Sequence, residues 1–418
     1  MTAEIAILNP HGIALAADSA VTIGSQKIIN SAIKLFSLSK TEPVGVMVYG
    51  NANLLNIPWE TLIKVYRKEH SKSRFEKLED YAASFMSYLK AKSTIFDLEV
   101  QDRWFENQLV FLFNFIINQY QSGCMQITAR GEPISKEQEI SILVDILKHV
   151  VNLHENNEAT WSGDLITAKA KIELISKPII KHYFSDFIDN PEVEGLLDSI
   201  VLLSVTNNGF IESSTGLVIA GFGDDDIFPS VITYQISGYF ENSLIYKQDP
   251  GKTIINSNSG MRSGIIAFAQ EDVVQSFIRG FDPELHQFSF DYLNTMLSEF
   301  ILKIPNQNPV ETSKLLADSQ LLLNDFNTSL TNEILDRHLN PMIDMIGVLP
   351  KDELATMAET LVNITAFKRK MAYSSLETVG GPIDVAVISK GDGLVWVKRK
   401  QYFPANLNRH FFDNYFKD

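Results

Sequence analysis

The residue with the most chemistry to offer is the second in the chain. Met1 precedes a small residue, so removal of the initiator would leave Thr2 as the mature N-terminus. An N-terminal threonine holds a nucleophile and a base on one residue: its hydroxyl attacks a carbonyl and its free α-amine takes the proton. That amine has a reference pKa of roughly 7.7–8.0 and is partly neutral near physiological pH. Many chains begin Met-Thr, so Thr2 gains meaning only from three downstream segments: Ile13-Ala14-Leu15-Ala16-Ala17-Asp18-Ser19, Lys34-Leu35-Phe36, and Val46-Met47-Val48-Tyr49-Gly50.

The elements that must position these residues are short strands. Residues 3–9 and 12–17 are apolar and β-prone, and Asn9-Pro10-His11-Gly12 between them suits a tight turn. In the resulting antiparallel hairpin Thr2 and Asp18 lie side by side. Residues 32–38 and 44–49 read as two more strands, the second a near-continuous apolar run typical of a buried sheet. From about 53 to 205 the pattern turns helical, with Leu55, Trp59, Leu62, Ile63 and Tyr66 at helical spacing. Helical segments are expected over 76–92, 101–121, 136–153 and 164–188, broken at Gly123, Gly131-Glu132-Pro133 and Ser162-Gly163. Strands return at 216–222, 230–237 and 243–248. Helices come next at 271–281, 287–302, 311–338 and 351–370, then strands at 383–389 and 394–399 and an aromatic-rich tail. This order fits a layered α+β protein with helices on both faces of antiparallel sheets.

The N-terminal text resembles the β-subunits of the proteasome and the related HslV peptidase, within the N-terminal nucleophile (Ntn) hydrolases. Counted from Thr2, Asp18 and Lys34 fall where that family places its catalytic Asp and Lys, and Gly50 where it places an oxyanion-hole glycine. The segment from Lys34 to Gly50 is slightly longer than the family's, and Trp59-Glu60-Thr61 opens a helix much as its first helix does. The likeness covers residues 2–68 well and 215–282 and 350–398 moderately. It implies a four-layer αββα Ntn-hydrolase sandwich with an inserted helical region: core over 1–69, insertion over 70–210, and core with tail over 211–418.

The resemblance also implies roles. Thr2 would be the nucleophile, Lys34 an ammonium favouring the developing alkoxide, Asp18 the group that holds Lys34 charged, and Gly50 an oxyanion donor. Val48 and Thr22 would shape the substrate pocket. Ser259, with Gly260 next to it, is the choice for a supporting serine, with Ser257 its competitor. The family's remaining Asp has no clean counterpart: one register puts Met371 there, and another puts Glu377, with Gly380 in the adjoining Ser position. Glu377 is taken as the substitute. The bland alternatives are an ordinary Asp18–Lys34 ion pair, a strand-end Gly50 and a polar turn at 257–260.

Composition sets limits. The 418-residue chain is 45% hydrophobic, enough for a substantial core, and its formal net charge of −15 without a long Lys/Arg run argues against nucleic-acid binding. One cysteine, Cys124, forbids an internal disulfide and fits a reducing, cytoplasmic setting. No apolar run is long enough to span a bilayer, and no signal-peptide pattern appears at the N-terminus. Eight scattered histidines with no HExxH predict no metal, and no cofactor is expected. The expected function is a proteasome-like threonine-type peptidase, active after Met1 removal on a peptide or protein substrate. The resemblance implies a ring-forming homo-oligomer served by an ATPase or other regulatory partner, away from nucleic acid and membrane. An amidohydrolase acting on a small non-peptide amide, and a non-catalytic scaffold subunit, are the competing readings.

Overall fold

The structure of the protein, a computed structural model, describes residues 2–23, 27–128, 134–156, 159, 161–207, 214–260, 262–305, 308–371 and 379–415. In chain order it begins with strands β1 (Glu4–Asn9), β2 (Gly12–Ala17), β3 (Val21–Ile23), β4 (Lys27–Ile29), β5 (Leu35–Ser37), β6 (Val44–Gly50), β7 (Asn53–Leu54) and β8 (Ile57–Pro58). Helices α1 (Trp59–Glu69), α2 (Leu78–Ala91), α3 (Leu98–Thr128), α4 (Lys136–Glu155), α5 (Leu165–Phe184) and α6 (Pro191–Thr206) come after them. Then come β9 (Thr215–Gly221), β10 (Ser230–Phe240), β11 (Ser243–Gln248) and β12 (Gly264–Ala267). The chain continues with α7 (Glu271–Arg279), α8 (Pro283–Leu302), α9 (Pro309–Ile334), α10 (Asn340–Val348) and α11 (Lys351–Met371). It closes with β13 (Asp384–Ser389), β14 (Gly393–Lys398) and α12 (Arg409–Tyr415). Helices and antiparallel sheets together make it an α+β protein.

The chain divides into two compact units. The first comprises 1–35, 227–229 and 256–418, and is built on an antiparallel sheet ordered β12-β1-β2-β13-β14. Asn9 and Gly12 pair across the expected turn, where Asn9 Oδ1 accepts the His11 N–H at 2.8 Å. One face of the sheet offers Ile5, Ile7, Ala14, Ala16, Val385 and Val387 to Leu354, Ala358, Leu361 and Val362 of α11. The opposite face, with Glu4, Ala6, Leu8, Ile13 and Leu15, is buried too. Burial on both faces explains why β1 and β2 read as apolar runs rather than as alternating strands.

The second unit, 36–226 and 230–255, carries the sheet β11-β10-β9-β6-β5. Helix α2 packs on β9, β10 and β11. Phe105, Leu109 and Phe113 of α3 join Leu143 and Leu147 of α4 and Leu197 of α6 in a core that also takes in Phe240 and Ile245 of the sheet. Their starts are written in the sequence: a Ser135–Gln138 capping box before α4, Asp164 before α5, and Asn190-Pro191 opening α6.

Several expectations need correction. Gly123 does not end a helix; α3 runs through it to Thr128. A helical glycine costs about 1 kcal/mol against alanine, less than the buried stripe from Phe105 to Ile116 stabilises. The expected break at 131–133 lies outside the described residues. Leu55 does not belong to α1; it turns between β7 and β8 with φ +53°, and the helix starts at Trp59. The strand expected over 32–38 contracts to Leu35–Ser37, which leaves Lys34 just ahead of it. No helix among the described residues is long and apolar enough to cross a membrane.

Candidate active site

Thr2 precedes β1 and Glu4 opens it, so these alternate residues project from one side of the sheet. Both are buried, Thr2 to 3% exposure and Glu4 to 0%. Asp18 lies just past the end of β2, and the hairpin register sets it beside the start of β1: its backbone N–H donates to the Ala3 carbonyl at 3.1 Å. Its carboxylate is fixed on four sides. Oδ1 accepts from the Ala3 N–H at 3.1 Å and from Lys34 Nζ at 2.5 Å. Oδ2 accepts from the Ala20 N–H at 3.2 Å and the Gly380 N–H at 2.9 Å. Charge-assisted bonds of this kind hold an ionised carboxylate firmly.

Lys34, 5% exposed, also lies 3.3 Å from Glu4 Oε1. One buried ammonium thus faces two buried carboxylates. The Thr2 hydroxyl lies close enough to Glu4 to favour its charged form. Yet neither the hydroxyl nor either Glu4 oxygen completes a hydrogen bond of good geometry among the described residues. Burial pushes the Glu4 carboxyl up to about 7; Lys34 pulls against that rise and Asp18 adds to it.

The segment 380–382 closes this corner. The Gly380 carbonyl accepts from the Ser19 N–H at 3.1 Å, and the Pro382 carbonyl accepts from the Ser19 hydroxyl. Gly381 adopts φ +78°, and a Cβ there would fall 2.9 Å from Asn30 Cβ and 3.0 Å from the Asn30 carbonyl oxygen.

The other candidates lie each within its own unit. Thr22 is in β3, opposite Ile28 of β4. Val48 and Gly50 belong to β6 in the second unit, Val48 buried and paired with Leu217. Gly50 has φ +80°, and a Cβ would lie 2.7 Å from the Ser214 carbonyl oxygen, so local backbone geometry by itself demands glycine. Ser259 is in an exposed turn, its hydroxyl 2.8 Å from that of its competitor Ser257. Glu377 lies outside the described residues, and Met371, its alternative, ends α11. Among the described residues, no three His, Cys, Asp or Glu side chains cluster to hold a metal ion.

Glu4 is the site residue that sequence reasoning missed. The signal was available: a lone carboxylate within the apolar run Ala3-Glu4-Ile5-Ala6-Ile7-Leu8, two residues from Thr2 and hence on its face.

No family model matches the chain, and no curated protein matches it. Among solved structures it resembles the Anbu complex of Pseudomonas aeruginosa, described as a helical assembly. That chain is 11% identical, with 99% of this chain and 93% of that one covered, at a TM-score of 0.28. Anbu (ancestral beta-subunit) from Yersinia bercovieri is 10% identical, with 99% and 94% covered, again at 0.28. Superpositions this loose carry no argument about fold or activity. The resemblance to proteasome β-subunits and HslV is corrected to this extent: it does not stand as family membership. No family model supports membership, and the solved neighbours are Anbu chains.

Proposed function

We propose that the chain is a threonine-type hydrolase of amide bonds, acting on a peptide or protein, with Thr2 as nucleophile once Met1 is removed. The observation that carries this reading is the buried set Thr2, Glu4, Asp18 and Lys34. An ion pair kept only for structure is complete with one carboxylate to one ammonium. Here a second carboxylate shares the same ammonium, and neither it nor the Thr2 hydroxyl completes a hydrogen bond of good geometry among the described residues, an arrangement that costs stability and calls for a reason. A poised nucleophile supplies one, since catalytic hydrogen bonds are often long until substrate arrives.

In this reading Thr2 Oγ1 attacks the amide carbonyl and gives up its proton within the pocket. Lys34, held by Asp18, keeps an ammonium beside the developing charge. The C–N bond then breaks to leave an ester on Thr2, which water hydrolyses. The four-layer αββα arrangement belongs to the same proposal and is supported by burial on both faces of β1, β2 and β13 in the first unit and of β9 in the second. So does self-association, supported by Phe288, Tyr292 and Phe300, large and exposed along α8.

The test is hydrolysis of a peptide-amide panel by the Met1-free protein and by Thr2→Ala, with matched melting curves. Activity in the wild type and none in a folded Thr2→Ala is expected. Equal activity in the two ends the reading.

A further inference from the structure

We infer that Glu4 is the catalytic base of this site, taking the proton of the Thr2 hydroxyl in place of the α-amine. The inference deepens the threonine-hydrolase reading and rests on it. Three observations carry it. Thr2, just ahead of β1, and Glu4, its first residue, project from one side of the sheet, both buried, Glu4 to 0% exposure, and the Thr2 hydroxyl favours the charged form of Glu4. Glu4 Oε1 is held only by the 3.3 Å ion pair to Lys34, and neither oxygen completes a hydrogen bond of good geometry among the described residues, so the carboxylate keeps accepting capacity and the Thr2 hydroxyl has a proton to give. Asp18, the other carboxylate, is saturated by Lys34 and three backbone N–H groups and has no such capacity.

Burial leaves Glu4 titrating near 7, where a general base works best. Among the described residues the charged side chains acting on Glu4 are Lys34 and Asp18; the neighbouring strand β12, Gly264–Ala267, offers none.

The proton balance closes. As the Thr2 Oγ1–carbonyl bond forms, the hydroxyl proton passes to Glu4. The neutral carboxyl gives it to the amide nitrogen as the C–N bond breaks. Water then attacks the ester, yields a proton to Glu4, and Glu4 returns it to Thr2 Oγ1 as the ester bond breaks. Lys34 keeps its protons throughout.

The experiment measures acetylation of the Met1-free protein by p-nitrophenyl acetate across pH 5–9, with folded Thr2→Ala as background. Wild-type rate should climb through an ionisation near neutral pH. In Glu4→Gln that limb should vanish and the rate at pH 8 fall by about 100-fold or more, the usual share of a general base. Glu4→Asp should keep the limb while losing about tenfold from its shorter reach. A folded Glu4→Gln with wild-type rate and limb returns the role to the amine and overturns the inference alone. Where Glu4→Gln does not fold, a wild-type rate in Glu4→Asp overturns it. A wild type acetylated no faster than Thr2→Ala removes the threonine-nucleophile reading, and this inference with it.

Discussion

Glu4→Gln should stabilise the protein, and by an amount that grows with pH. The carboxyl moves from its ordinary 4.5 to about 7 on folding, chiefly through loss of solvent. A raised carboxyl pKa means that the folded state binds more protons than the unfolded state between those two values. Stability therefore falls as pH rises through that window and levels off above about 7. At about 1.4 kcal/mol per pH unit the full cost of ionising Glu4 in place is roughly 3 kcal/mol. Glutamine keeps the shape and never ionises, so it escapes this cost. The stability difference between variant and wild type should be small at pH 4 and approach roughly 3 kcal/mol at pH 8. The apparent midpoint belongs to the Glu4–Lys34–Asp18 set rather than to one group. Urea unfolding of both proteins at several pH values, on material with Met1 status fixed by intact mass, measures the difference. A difference that does not change with pH would refute the burial argument for Glu4.

Lys34→Met leaves two buried carboxylates without their cation and should destabilise by about 3–5 kcal/mol, more at pH 8 than at pH 5, where Glu4 is neutral; urea unfolding at both values checks it. Gly381→Ala forces a side chain into a left-handed backbone against Asn30 and should cost about 1–3 kcal/mol in the same assay. Sedimentation velocity should find the protein self-associated, and Phe288→Glu together with Phe300→Glu should shift it towards monomer.

The sequence was most legible where local rules decide. The β1–β2 hairpin comes from a tight turn between two apolar runs, and its register alone sets Asp18 beside the chain start. The starts of α4 and α5 come from Ser135 and Asp164, whereas α6, opening on Asn190-Pro191, was not among the segments expected. What tertiary packing decides was not legible. Strand β12 is four residues long and exists by pairing with β1, Ile5 opposite Ala267, a contact no local pattern announces. Gly123 read as a stop because propensity is local, whereas the apolar stripe that keeps α3 helical is spread over the whole helix. Glu4 was hidden by its setting: a strand pattern judged on apolar content treats one carboxylate as noise, although alternation places it on the face of Thr2. The Gly50 spacing matched an oxyanion role, yet the approach of Ser214 suffices to select glycine there. Matching spacings over the first 50 residues likewise did not extend to a shared family for the whole chain.

The most direct test of Thr2 as nucleophile is to locate the acetyl group that p-nitrophenyl acetate leaves on the wild-type chain. Fragmentation mass spectrometry should find Met1 absent and one acetyl on Thr2, removed by hydroxylamine as an ester is and an amide is not. A Met1-free chain with Thr2 unmodified, or with the label on its amine, would contradict the account.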